Sequence, residues 1–185
     1  MSTSTYHHGD LRSALLGSAS ELLEEQGVAG LSLREEARRA GVSHNAPYRH
    51  FPDRNALLAA LAAEGFRGLA EKMEGKRGRE RGEAYVHFAL GNPNRFRLMF
   101  GGQIEIGKHP ELREAATRTY DGLVTAFRGQ GDIVDPEKAA AAAWALTHGL
   151  AHLLLDGHFR EKAKAADFVR DVIGAVRFAV AQRTA

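Results

Sequence analysis

Residues 31–57 of this 185-residue chain read LSLREEARRAGVSHNAPYRHFPDRNAL, a spacing that leaves few folds open. Ser32 is followed three residues later by Glu35, the pattern of a capping box, which places a helix start there. Leu33, Ala37 and Ala40 then fall on one side of that helix. Gly41 ends it, because a glycine just past the last turn adopts the left-handed conformation that costs other residues roughly 1 kcal/mol. Val42 plugs the angle that follows, and Ser43 is suited to cap a second helix from about His44 to Phe51. Pro47 lies in the first turn of that helix, where a missing N–H costs little. Two short helices crossing at a Gly-containing turn form a helix-turn-helix.

The second helix carries His44, Asn45, Tyr48, Arg49 and His50, side chains that donate to phosphates and read base edges in the major groove. Such a polar set is unusual on a buried helix. It points to DNA, while the same motif also serves elsewhere as plain packing with its polar residues facing water.

With YHHGDLR, GLSLRE, ARRAGVS, YRHFPDR and NALL in place, residues 6–66 resemble the DNA-binding domain of the TetR family of bacterial transcriptional regulators. NPNRFRLMF at 92–100 and AWALTHGLAHLLLDG at 143–157 are similar to the WHG-type C-terminal domain of one TetR subgroup. The resemblance implies that Ser43, His44, Asn45 and Tyr48 touch bases or their flanking phosphates, and that Tyr48, His50 and Arg54 hold the DNA backbone. By the same likeness His8, at the start of the first helix, and Ser32 and Arg34, at the start of the second, approach phosphates, since helix N-termini favour anions. Phe51 is core. One departure stands out: position 36 is Glu, where relatives place an aliphatic residue that packs against the first helix. A buried carboxylate there is costly without a partner. Either Arg38, Arg39 or Arg12 compensates it, or the helix is rotated slightly outward.

Composition sets outer bounds. At 185 residues and 44% hydrophobic content, the chain can bury a sizeable core in one domain or two small ones. Without cysteine, neither a disulfide framework nor a thiolate metal site is available, in keeping with a reducing compartment. The N-terminal MSTSTYHHGDL lacks the apolar core of a signal peptide, and the longest apolar run, Ala139–Leu146, is too short to span a bilayer. A cytoplasmic protein is expected. Lys and Arg total 25 against 23 Asp and Glu, and residues 1–54 hold six arginines against seven carboxylates. Steering toward DNA is therefore local, from Arg34, Arg49 and Arg54 with His8, His44 and His50, while Glu21, Glu24 and Glu25 lie at the far end of the first helix.

Periodicity is helical almost throughout, with no alternation long enough for a strand, so the fold class is all-α with about nine helices. A first helix runs from about Asp10 to Gln26, burying Leu11, Leu15, Ala19, Leu22 and Leu23, and Gly27 closes it. A fourth begins near Asp53 and carries Leu57, Leu58, Leu61, Phe66 and Leu69 toward Met73. GKRGRERG at 75–82 reads as a solvated loop. The organisation expected is a helix-turn-helix domain over 1–52, a connecting helix and loop over 53–82, and a ligand-binding and dimerisation domain over 83–185. Within the last, helices are expected near 83–91, 93–100, 110–129, 136–157 and 164–182, with limits at Asn92-Pro93, His109-Pro110, Asp135-Pro136 and Gly157. Phe168, Val169, Val172, Ile173, Val176 and Val180 give the last helix an apolar stripe. By resemblance, the last two helices pair with those of a second subunit. The partners implied are thus a homodimer, a palindromic double-stranded operator with half-sites about 34–36 Å apart, and a small-molecule effector whose identity is unknown.

Phe88, Phe96, Phe100, Tyr120, Phe127 and Trp144 are more aromatic than a small bundle needs, and with Thr147 and His148 they are candidates for a ligand pocket favouring a flat or apolar molecule. Ordinary core packing accounts for any one of them equally well. A rival reading takes His148, His152 and Asp156, spaced i, i+4, i+8, as a metal site serving a sensor or a metal-dependent enzyme. Otherwise no cofactor and no enzyme is indicated: G-x-S-x-G, a phosphate-cradling glycine loop and H-E-x-x-H are all missing from the chain. The four histidines in the first 54 residues predict that operator affinity rises as pH falls from 8 toward 6. Equal affinity at both pH values in a binding titration would remove histidine from the interface.

Overall fold

The computed structural model describes residues 8–128, 133, 135–159 and 167–176, with residues 8–10 described by backbone alone. Eight α-helices and no strand occur among them: α1 His8–Gly30, α2 Leu33–Arg39, α3 Arg54–Met73, α4 Gly78–Gly91, α5 Pro93–Phe100, α6 Pro110–Arg128, α7 Pro136–Leu155 and α8 Phe168–Ala175. Two 3₁₀ turns, Pro47–Arg49 and Ile106–Lys108, complete the regular elements. The all-α class read from the spacing holds, with eight α-helices among the described residues against the nine or so expected. The chain divides into two compact units, Met1–Gly65 with Asn94–Glu114 and Phe66–Pro93 with Ala115–Ala185.

In the first unit, α1 buries Leu15, Leu16, Ala19, Leu22 and Leu23, the repeat of three and four that an amphipathic helix requires. Burial of each such leucine contributes roughly 1.5–3 kcal/mol. α1 begins at His8, earlier than the Asp10 start expected, and Gly27 breaks it with a φ of 68°. Phe51 is buried, with the Arg12 guanidinium 5.5 Å from its ring centre. Arg12 also pairs with Glu111 at 3.0 Å. The exposed N–H groups at the start of α5 need acceptors. Glu24 supplies them: its carboxylate accepts from Asn94 N at 3.2 Å and Arg95 N at 3.0 Å, where the helix dipole also favours negative charge. Asn94 Nδ2 returns a bond to the Glu24 carbonyl at 3.0 Å.

In the second unit, α4 packs on α7 and α8 around Val86, Leu150, Leu154, Val169 and Ile173. A second cluster joins Val124 and Phe127 of α6 to Ala140 of α7. Asp135 caps α7 by accepting from Lys138 N at 3.1 Å, and Gly157 ends it with a φ of 82°. Of the stretch 75–82, only 75–77 is the solvated loop its composition suggests. α4 starts at Gly78, and a Cβ on Gly82 would come within 3.1 Å of Thr147 and 3.3 Å of Ile173. Gly82 is therefore a packing glycine, which lets α4 close on its neighbours. Arg81 is tucked as well, donating to the Lys76 carbonyl at 3.1 Å and the Gly122 carbonyl at 2.9 Å. The expected helix over 164–182 is shorter where it is described: α8 begins only after Asp167 and Val176 leaves it in extended conformation (φ −94°, ψ 119°), while 164–166 and 177–182 lie outside the described residues.

Gly41 has a φ of 65° with nothing within 4 Å of where its Cβ would stand, so its role is conformational alone. Gly41→Ala is expected to destabilise the first unit by about 1 kcal/mol, and Gly41→Asn by less, measured as shifts in thermal midpoint.

Candidate functional site

Ser32 is extended (φ −150°) and accepts from Glu35 N at 3.2 Å, which starts α2 where the sequence places it. Only half of the capping box forms. The Glu35 carboxylate turns to Arg38, which donates to it at 2.9 and 2.6 Å and holds its pKa below the ordinary range. Beyond Ala40 the Gly41 turn brings Val42 N to the Ala37 carbonyl at 3.0 Å.

The segment after the turn departs from the expected helix over 44–51. It is a 3₁₀ turn at Pro47–Arg49, in which Ala46 N bonds the Ser43 carbonyl at 2.9 Å and His50 N bonds the Pro47 carbonyl at 2.9 Å. The cause is Pro47, which stands where the first i→i−4 bond back to Ser43 would form and has no N–H to make it. The Ser43 carbonyl takes the N–H of Ala46 instead, and the chain tightens to i→i−3. Ser43 contributes this carbonyl and makes no side-chain cap. Phe51 N then bonds the Pro47 carbonyl at 2.8 Å, anchoring the turn to a core residue.

Ser32, Arg34, Ser43, His44, Asn45, Tyr48 and Arg49 are all exposed, and Tyr48 leaves 49% of its surface to solvent, unusual for a tyrosine beside a core. His50 is half-buried, with its Nε2 enclosed and without a hydrogen-bond partner. Arg54 directs its guanidinium inward along the chain: Nε donates to the Leu31 carbonyl at 2.8 Å and Nη2 to the Val28 carbonyl. Val28 lies in the last turn of α1 and Leu31 in the short link to α2, so Arg54 braces the junction from which α2 departs. Spacing alone held no signal for that role, because the partners lie 23 and 26 residues away.

Glu36 resolves differently from either expectation. It is fully buried at 0% exposure, so α2 is not rotated outward. None of the three arginines bonds to it directly: Arg38 pairs with Glu35, Arg39, whose charge still favours an ionised Glu36, with Glu25, and Arg12 with Glu111. Both carboxyl oxygens lack a hydrogen bond.

The pocket candidates separate between the two units. Phe96 and Phe100 form a tilted pair, 4.9 Å between centres, in the first unit. In the second, Phe88 and Phe127 are buried, Tyr120 lies 5.8 Å from Trp144, and Thr147 spends its hydroxyl on the carbonyls of Ala143 and Trp144. The organising residue here is Tyr85, which the sequence reading did not single out. Its hydroxyl accepts from Trp144 Nε1 at 3.1 Å and is 2.8 Å from His148 Nδ1. Indole nitrogen only donates, so the phenol proton is left to donate to Nδ1. Burial drives the Tyr85 pKa far up, against the Trp144 bond, which lowers it. Burial, and then the neighbouring His152, lowers that of His148.

This engagement of His148 also corrects the metal reading. Among the described residues no three His, Asp or Glu side chains are arranged to hold an ion. Spacing at i, i+4, i+8 spreads three ligands over roughly 12 Å of helix, beyond the reach of one centre. Asp156 instead ends α7, its N–H bonded to the His152 carbonyl at 2.8 Å.

Residues 15–61 match the model for bacterial regulatory proteins of the tetR family, and residues 79–176 match that for the tetracyclin repressor-like C-terminal domain. A solved structure of a protein of unknown function from Rhodococcus sp. RHA1 is 38% identical, covers 94% of each chain and superposes with a TM-score of 0.78. The tetracycline repressor protein class D of Escherichia coli is 28% identical over 122 residues, 63% of this chain and 52% of that protein. The chain thus spans about half the length of the curated relatives it matches. A TetR family transcriptional regulator, PfmR, from Thermus thermophilus shares the fold at 19% identity, covering 87% of this chain and 93% of its own, with a TM-score of 0.59.

Arg54→Lys keeps the charge and loses the two-carbonyl fork. It is expected to destabilise the first unit by roughly 1.5–3 kcal/mol in thermal melts, whereas a residue serving phosphate alone would leave the melting point unchanged.

Proposed function

The chain belongs to the TetR family of bacterial regulatory proteins, and from that premise we propose that it is a sequence-specific, DNA-binding transcriptional regulator, a repressor released by a small molecule. The observation that carries the reading is the exposed polar set His44, Asn45, Tyr48 and Arg49 on a turn anchored to the core through Phe51 and packed against a capped α2. A rigid support with solvated donors is what base reading requires. Asn45 and His44 take base edges in this reading, Tyr48, Ser43 and Arg49 take phosphates, and the start of α2 at Ser32 and Arg34 adds a phosphate contact.

A homodimer follows from the same reading, since one head reaches few bases and a two-fold pair engages two half-sites. Support comes from α7, where Ala142, Ala145, Gly149 and Leu153 form an exposed stripe of small and apolar residues at helical spacing. Effector binding in the second unit would act through the coupling free energy between two populated states. The aromatic set around Tyr85, Tyr120 and Trp144 favours an apolar or flat effector. No helix of the described residues is long and apolar enough to cross a membrane. The reading places the chain's action on DNA in the cytoplasm and assigns it no catalytic step.

Selection of random duplex DNA by the purified protein at two salt concentrations tests this. A palindrome with half-site centres one helical turn apart, or a multiple of it, is expected. Tyr48→Ala should then lower affinity for that sequence about tenfold with the melting point unchanged. Folded protein that enriches no sequence at either salt would overturn the proposal.

A further inference from the structure

Glu36 occupies the core between α1 and α2, where a carboxyl group has no evident business. Its 0% exposure removes water, and neither of its oxygens has a hydrogen-bond partner. Ser18 on α1 acts on it in favour of the ionised form, and Ser18 Oγ is itself buried without a hydrogen-bond partner. A serine hydroxyl can donate to a carboxylate, so Ser18 does not call for a proton on Glu36; what calls for one is a carboxyl shut away from water with neither oxygen hydrogen-bonded.

No charged neighbour bonds to either Glu36 oxygen, and the Arg39 charge acts on it only from a distance. On α2, Arg39 is turned to Glu25 at 2.6 Å and Glu35 to Arg38 at 2.6 Å. On α1, Arg12 pairs with Glu111, Glu24 caps α5, and Glu21 is exposed. On the 3₁₀ turn packed against α2, neither His44, Arg49 nor His50 makes a hydrogen bond or ion pair with Glu36. An ionised carboxylate in such a site is far more costly than a neutral acid.

We propose that the buried Glu36 carboxyl is a proton-binding site inside the helix-turn-helix head, in which it is held as the neutral acid and its ionisation loosens the head. Loss of the proton to solvent leaves a buried charge that the head relieves only by opening α2 away from α1. The consequence for DNA rests on the function proposed above: affinity falls as pH rises, because the elements that carry the exposed polar set part from their support.

Burial is the first cause raising the Glu36 pKa above the ordinary 4.5, with Ser18 and the Arg39 charge acting to lower it. The sign follows from that direction. Folding favours the protonated form, so the contribution is complete below the ordinary glutamic acid range and is lost as pH rises through the folded-state value.

The test uses the full chain, melted between pH 5 and 8.5 as wild type and as Glu36→Gln, with the Glu36 side-chain carboxyl followed by carbon NMR in the wild type. The neutral amide should raise the melting point at pH 8 by about 5 °C and flatten its dependence on pH. The wild-type carboxyl should keep the shift of a protonated acid at pH values where free glutamic acid is ionised. A carboxyl that titrates in the ordinary range overturns the proposal, as does a variant whose melting point follows the wild-type pH profile. If Glu36→Gln fails to fold, the wild-type NMR titration alone decides. Both readouts concern stability and protonation, so they stand or fall separately from DNA binding.

Discussion

The head depends on what happens to the carbonyl groups at the end of α1. A helix that ends inside a small domain leaves acceptors that must be satisfied, and here Val28 and Leu31 present theirs to one side chain. Arg54, the first residue of α3, takes both with a planar fork that a lysine does not possess. This places three elements at once: the end of α1, the departure of α2 at Ser32, and the start of α3. Glu24 performs the reciprocal task nearby, giving a carboxylate to the unpaired N–H groups at the start of α5. Helix ends, more than helix faces, set the geometry of the first unit.

Apolar contacts alone would hold these helices with less definition. A hydrogen bond contributes a net 0.5–1.5 kcal/mol or so, but a buried group deprived of its partner costs about 1–3, so polar groups inside a core constrain position more than they add stability. The second unit shows this in Tyr85, whose hydroxyl lies between Trp144 and His148 and fixes the orientation of the histidine. Thr147 beside them is satisfied within its own helix, leaving its methyl group to meet α4 at Gly82. Glu36 is the exception that proves informative, because it is buried without such a bond.

The departures from the sequence reading have local causes. Proline was credited with a harmless position in the first turn of a helix, yet at Pro47 it removes the bond that would begin the α-helical ladder, and a 3₁₀ turn results. Glycine and charge over 75–82 suggested a loop because composition cannot distinguish a glycine that breaks a helix from one that lets two helices approach. Gly82 is of the second kind, facing Thr147 and Ile173, whereas Gly78 has open space about it and opens α4 with a positive φ of 48°. The three histidine-cluster residues lie along one helix as their spacing requires, and still do not converge, since helical rise carries them apart.

Sequence by itself determined the helical class, the buried Leu15, Ala19, Leu22 and Leu23 of α1, Leu33 and Ala37 of α2 and Leu57, Leu58, Leu61, Phe66 and Leu69 of α3, the caps at Ser32 and Asp135, the left-handed glycines at 41 and 157, and the family. All of these rest on interactions within a few residues, or on a periodicity that one helix imposes on its own side chains. Tertiary structure alone decided that Arg54 serves carbonyls where α1 ends, that Glu24 caps α5, that Tyr85 orients His148, and that no arginine bonds to Glu36. Those pairings join residues 23 to 71 positions apart, and their formation depends on where whole helices pack, which no local pattern encodes.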